Sequence, residues 1–204
     1  MDYTYEQNLM NKGHKYICGL DEAGRGPLAG PIVAGAVIID PENCDYIELL
    51  NDSKKLTAKR RDTAFEEIIS KAYSWAVGVV SAKEIDQHGL GLANKIVMKR
   101  AWSHLKTKPD FIACDYIASI LFETPNEIII GGDGRVASVA AASIVAKVIR
   151  DRMMKAFDKK YPEYGFAQHK GYGTKLHMQK LEEFGVCDIH RKSFAPVKRV
   201  YLFS

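Results

Sequence analysis

An α/β fold is what this sequence predicts, and three observations carry that reading. Short apolar runs at Tyr16–Leu20, Ile32–Ile39, Trp75–Val80, Phe111–Asp115 and Ile128–Ile130 have the length and bounding turns of strands. Longer stretches at helical period lie between and after them, the longest over about Ser138–Tyr161. Finally, carboxylates stand at the ends of apolar runs, as Asp21 and Glu22, Asp115 and Asp133, where a core has no use for them.

The first run meets a Gly/Pro-rich bend (Gly24, Gly26, Pro27, Gly30, Pro31), so the next, Ile32–Ile39, reads as its antiparallel neighbour. Asp40-Pro41-Glu42-Asn43 ends that second run. After the polar loop Asn51–Leu56, Thr57 is an N-cap for a helix over Ala58–Lys71. Ser81-Ala82-Lys83-Glu84 is a capping-box pattern that opens a short helix, and Gly89 closes it. A further helix is expected over Leu92–Leu105, and Pro109 precedes the fourth run. The long helix stops at Pro162, and its expected core stripe is Val145, Ile149 and Met153. Ala140-Ala141-Ala142 lets its first turns lie close to the sheet, and Ser143 with Lys147 reads as surface polarity. Gly165–Gly173 reads as a loop mixing aromatic and cationic side chains, followed by a helix that Thr174 caps and Gly185 ends.

Composition excludes several classes. With 204 residues, 47% apolar and 26% charged, the chain is long enough for one well-buried domain. No apolar run approaches the ~20 residues of a membrane span, and the N-terminus lacks the apolar centre of a signal peptide. A cytoplasmic protein with no membrane association is the expectation. Cys18, Cys44, Cys114 and Cys187 form no Cys-x-x-Cys pair, which argues against zinc or a redox motif. Residues 150–204 hold 12 Lys and Arg against 6 Asp and Glu, while the remainder holds 17 against 19. A basic C-terminal quarter beside an acidic site suits a polyanionic substrate and a metal.

In mixed sheets, functional groups collect beyond the carboxyl ends of parallel strands. If the first, fourth and fifth runs are parallel, Asp21, Glu22, Asp115 and Asp133 converge. Carboxylates so gathered need cations, and Mg²⁺ or Mn²⁺ prefers oxygen ligands. Two such ions activate a water and stabilise the leaving oxygen in phosphodiester hydrolysis. Asp151 competes with Asp133 for the fourth place, but it lies inside the long helix. A rival reading is a dinucleotide site, because Gly132-Asp133-Gly134-Arg135-Val136-Ala137 fits G-x-G-x-x-A. The acidic residue expected about 20 positions later at a strand end is missing, however. The residues also leave open a nucleic-acid-binding module without catalysis and a phosphatase of small nucleotides.

Co-linear motifs point further. Asp21-Glu22-Ala23-Gly24-Arg25-Gly26, Asp52-Ser53-Lys54-Lys55-Leu56, Ala140–Lys147 with Arg150-Asp151-Arg152, His169–Thr174 and His190–Pro196 together resemble the signatures of bacterial ribonuclease HII. The likeness covers about residues 14–200, which divides the chain into an N-terminal extension, 1–13, and one domain, 14–204. The resemblance implies a ribonuclease H-like fold, a mixed five-stranded sheet flanked by helices with a C-terminal helical segment. It implies a two-metal endoribonuclease acting on RNA–DNA hybrids and cutting 5′ of single ribonucleotides in duplex DNA. The ends left would be 5′-phosphate and 3′-hydroxyl. Asp21, Glu22, Asp115 and Asp133 map onto the family's metal-binding carboxylates. Gly24, Arg25 and Gly26 map onto its backbone reader of the ribose 2′-hydroxyl, and Tyr172 onto its ribose-stacking ring. Lys54, Ser143, Lys147, His169 and Lys170 would hold phosphates. The resemblance implies a monomer and leaves room for a sliding-clamp contact. One departure is Cys114-Asp115-Tyr116, where the family commonly has Asp-Gly.

Overall fold

The computed structural model describes residues 1–51, 53, 56–115 and 122–203, and side chains up to residue 201. Among them five strands form one sheet: β1 (Ile17–Ala23), β2 (Ile32–Ile38), β3 (Ser74–Val80), β4 (Phe111–Asp115) and β5 (Asn126–Ile129), in the order β3-β2-β1-β4-β5. β2 runs antiparallel to β1 and β3, whereas β4 and β5 run parallel to β1. The expected α/β architecture and mixed five-stranded sheet are therefore present.

Helices cover both faces. On one face, α3 (Ala82–Ser103) packs Ile85, Val97, Met98 and Ala101 against Leu20, Ala34, Ala36 and Ile112. On the other, α2 (Ala58–Lys71) and α4 (Ala137–Lys160) pack against Val37 and Ile39. A strand between two covered faces has no solvent side, so every residue of β2 is buried. The caps follow the sequence: Thr57 Oγ1 accepts from Arg60 N–H at the start of α2, and Ser81 with Glu84 closes the capping box of α3. Gly89 leaves helical geometry at φ 74° but only kinks α3, whose second half follows directly.

α4 lies unusually close to the sheet. A Cβ on Gly19 would sit 2.0 Å from the Ser138 carbonyl carbon, and one on Gly35 would sit 2.2 Å from Ala142 O. The small residues at the start of α4 meet small residues on β1 and β2, as the alanine run suggests. Of the expected stripe, Val145 is fully buried in the core and Ile149 packs partly against it, whereas Met153 lies outside it. Ile149 and Met153 are half-buried, and the inward positions in the second half of the helix are Ala146, Arg150 and Met154. An arginine inside the buried stripe is what hides it from apolar periodicity.

Shorter helices follow α4. They are α5 (Phe166–His169), inside the segment expected as a loop, then α6 (Lys175–Phe184) and α7 (Ala195–Phe203). At the N-terminus, α1 (Thr4–Met10) packs against α4 and buries Glu6, whose Oε1 accepts from the Ser138 N–H at 2.8 Å. No helix among the described residues is long and apolar enough to cross a membrane.

Candidate active site

The parallel pairing of β1 with β4 runs through Leu20 opposite Cys114, so the next residues, Asp21 within β1 and Asp115 at the end of β4, stand side by side. Side chains alternate along a strand. Gly19 faces α4 and Leu20 faces α3, which sends Asp21 to the α4 face and Glu22 to the other. Asp133 arrives from a 3-10 turn, Gly132–Gly134, between β5 and α4, and not from a strand end as expected. Carboxylate oxygens of Asp21, Asp115 and Asp133 all lie within 4.8 Å of one another. Glu22 is not one of the three that meet, because strand alternation separates it from Asp21. Its Oε1 faces Arg25 Nη1 at 3.6 Å.

Electrostatics mark the place. Burial, with the Glu22 charge beside it, pushes the Asp21 carboxyl well above the usual carboxylate range. Burial, opposed by Arg25 and assisted by Asp115, raises Glu22 to about 7. Side chains so held gain from a cation among them. The donor set is all carboxylate oxygen, which fits a hard divalent ion better than a thiol- or imidazole-seeking one. Ser143 is turned inward, with its hydroxyl hydrogen-bonded to Asp21 and 3.0 Å from Ser53 Oγ, so it supports the carboxylate and is not surface polarity. Gly131 N–H donates to Asp115 at 3.1 Å.

Asp21 and Glu22 open into a cavity of about 470 Å³ that Gly24, Arg25, Gly26, Lys147 and Tyr172 also line. Tyr172 is 45% exposed, with its ring 5.8 Å from the buried Arg150 guanidinium. Lys147 pairs with Asp151 at 2.8 Å, and Arg61 stands 3.9 Å from the same carboxylate. Asp151 is thus occupied by cations of its own and is not among the three that converge. Lys54 and Tyr116 lie outside the described residues.

Of the expected phosphate contacts, His169 is corrected. His169 is buried: Nε2 meets Tyr164 O at 2.9 Å, Nδ1 accepts from Gly171 N–H at 3.2 Å, and the ring stacks on His177 at 4.4 Å. Neither nitrogen is left for a phosphate. Lys170, at φ 52°, folds its ammonium back onto Ala167 O.

Sequence reasoning also missed residues that shape this cavity. His190 accepts the Cys187 N–H on Nδ1 at 2.9 Å, its Nε2 lies 3.0 Å from His177 Nε2, and His177 Nδ1 meets Tyr172 O at 2.9 Å. The only consistent protonation is a chain of neutral rings ending on the Tyr172 carbonyl. Arg150 and Arg191, both buried, donate to carbonyls of the 24–31 loop. The motifs holding Arg150, Arg191 and His190 were visible, but a buried arginine or histidine has no periodic signal to announce its contacts.

Comparisons with known proteins agree with this geometry. The family model for ribonuclease HII matches residues 18–197. The chain is 49% identical over 188 residues to a ribonuclease HII of Vibrio vulnificus (strain YJ016), covering 92% of this chain and 90% of that protein. It is 45% identical to one of Dehalococcoides mccartyi, covering 98% and 95%. The crystal structure of the ribonuclease H2 from Pyrococcus horikoshii OT3 superposes with a TM-score of 0.82 at 28% identity, covering 93% of this chain and 98% of that one. A match over most of the chain, the sheet order and the gathered carboxylates lead to one conclusion: this chain belongs to the ribonuclease HII family and is a metal-dependent ribonuclease.

Proposed function

We propose that this enzyme cuts the RNA strand of RNA–DNA hybrids and incises 5′ of single ribonucleotides embedded in duplex DNA, leaving 5′-phosphate and 3′-hydroxyl ends. The observation that carries the reading is a single cavity shared by acidic and sugar-reading groups. Asp21 opens into it from the meeting point with Asp115 and Asp133, and the Gly24–Gly26 turn and Tyr172 line its walls. Asp21, Asp115 and Asp133 would hold divalent ions, Mg²⁺ or Mn²⁺ by donor chemistry, with Glu22 completing the set from the other strand face. A pair of such ions supplies activation of water and neutralisation of the leaving oxygen.

The chain's own groups do the rest. Ser143 holds the Asp21 carboxylate in place through its hydroxyl. The Gly24–Gly26 backbone, bare of side chains at its glycines, lets a strand approach closely and reads the 2′-hydroxyl that distinguishes RNA from DNA. Tyr172 offers an exposed ring for the ribose to stack on. Lys147 and Arg25, beside the cavity, meet the phosphate backbone and fix the register of the duplex.

The test is Asp21→Asn, assayed on a single-ribonucleotide duplex with Mg²⁺. Cleavage is expected to fall at least about 100-fold, the scale of removing one pre-positioned stabilising group. Cutting at the wild-type rate would take Asp21 out of the mechanism.

A further inference from the structure

The carbonyls of the Gly24–Gly26 turn converge on one side chain. Arg191 is fully buried, at 0% exposure. Its Nη2 donates to Gly24 O at 2.5 Å and Nη1 to Arg25 O at 2.7 Å. Nε and Nη2 both reach Gly30 O, at 3.0 and 2.9 Å. A trans peptide is planar and points its C=O and the following N–H in opposite directions. Fixing the Gly24 and Arg25 carbonyls therefore turns the N–H groups of Arg25 and Gly26 away from Arg191. Neither N–H has a hydrogen-bond partner among the described residues, and both residues line the cavity that Asp21 and Tyr172 share.

Burying a guanidinium against neutral carbonyls is an expensive way to close a loop. No carboxylate lies within ion-pair distance of Arg191 among the described residues. Burial, with the Arg150 charge nearby, pushes its pKa down. A planar fork of five donors is nevertheless the one side chain able to satisfy three converging carbonyls at once. The far side of the same loop is held alike: Arg150 donates to Pro31 O at 2.9 Å and to Ala29 O at 3.2 Å. The Phe194 ring lies 5.1 Å from the Arg191 guanidinium.

We propose that Arg191 is the positioning residue for ribonucleotide selectivity: it aims the Arg25 and Gly26 N–H donors at the sugar edge of the substrate strand. This rests on the reading that the turn recognises a ribose 2′-hydroxyl, and it adds the side chain that makes the turn competent to do so. Arg191 touches no substrate.

The experiment compares wild type with Arg191→Lys in Mg²⁺. Two quantities are read: kcat/KM on a duplex with one ribonucleotide, and Ki of the all-DNA duplex of the same sequence as competitor. An ammonium cannot serve three carbonyls. kcat/KM is expected to fall about 10- to 100-fold, the scale of one or two mis-aimed hydrogen bonds. Ki should move by less than about twofold, because phosphate contacts made elsewhere carry it. A kcat/KM within about twofold of wild type, or a Ki rising in parallel, reduces Arg191 to a structural residue and overturns the proposal. Should Arg191→Lys fail to unfold cooperatively, Phe194→Leu leaves the arginine in place but removes the ring against it. That variant should lose about threefold in kcat/KM with Ki unchanged, and no loss or a parallel loss again overturns the proposal. A wild-type enzyme that fails to cut at the single ribonucleotide disproves the underlying reading, and this is seen before any variant is made.

Discussion

At the scale of single residues, the two glycines of the Gly24–Gly26 turn have different reasons to be glycine. Gly24 sits at φ +99°, and a Cβ there would lie 2.1 Å from Arg150 Nε. Gly26 has no positive φ, and a Cβ there would meet nothing within 4 Å. The fold therefore demands the first glycine, while only an approaching ligand can demand the second. Gly24→Ala is expected to destabilise the protein by roughly 1–3 kcal/mol, measured by urea unfolding. Gly26→Ala should unfold within about 0.5 kcal/mol of wild type yet lose activity on ribonucleotide-containing duplex. A fully active Gly26→Ala would mean that no strand comes close to this backbone. The sequence shows both glycines as one motif, and only the third dimension separates their duties. Asp21 and Asp115 were legible because a carboxylate after an apolar run is out of place. Their difference from Glu22 was not, since it depends on which sheet face each side chain takes.

Among the elements, α4 shows most clearly where sequence reading stops. Its length and its alanine-rich start were apparent, but its cap was not. Val136, at the N-cap position, has no side chain able to accept an N–H. Glu6 of α1 does this instead, from 132 positions away. A carboxylate at a helix N-terminus also meets the positive end of the helix dipole. Glu6→Ala is expected to lower stability by about 1–2 kcal/mol, read from the urea midpoint, and Glu6→Gln should recover part of that loss. No local pattern in residues 1–13 could reveal a cap for residue 138.

The histidines around α5 and α6 give a second prediction at this scale. Burial holds His177 and His190 at about 4, below the ordinary 6.5. A histidine with a depressed folded pKa contributes fully above 6.5, and the contribution is lost as pH falls from there towards 4, because the unfolded chain then binds more protons. Between pH 7 and pH 5 each ring would withdraw roughly 2 kcal/mol, with the sum smaller because the rings are neighbours. Glu22 works in the opposite direction, since its raised pKa relieves strain on acidification. Saturating Mg²⁺ keeps the carboxylates ionised and removes that opposing effect. Under that condition, unfolding by urea should be easier at pH 5, and a flat profile would contradict the neutral-ring chain.

For the whole molecule, the carboxylates set against one another are an incomplete unit. A cation that binds the folded state alone stabilises it by RT ln(1 + [L]/Kd), about 2.7 kcal/mol at 100 times Kd. Thermal unfolding followed across an Mg²⁺ or Mn²⁺ titration should rise accordingly, and Asp21→Asn or Asp115→Asn should abolish most of the rise. An unaltered melting temperature in wild type would show that the acidic cluster holds no ion. Five strands and the antiparallel pairing of the first two followed from hydrophobic runs, turns and the resemblance, because neighbouring elements joined by short turns pair locally; the order β3-β2-β1-β4-β5 came only with the structure. The lining of the cavity was less legible, because it joins residues 21–61 to residues 143–172 across more than 80 intervening positions.

The reach of Arg191 back to Gly24 carries a consequence for how selectivity can be lost. The two residues lie 167 positions apart, so the turn gains its brace only through a long-range closure of the backbone. On the proposed reading, a molecule whose segment around Arg191 has come loose would keep its acidic centre and lose its choice between sugars. Local opening there, tracked by amide exchange at Arg25 and Gly26, is then a way to blunt selectivity without touching a carboxylate.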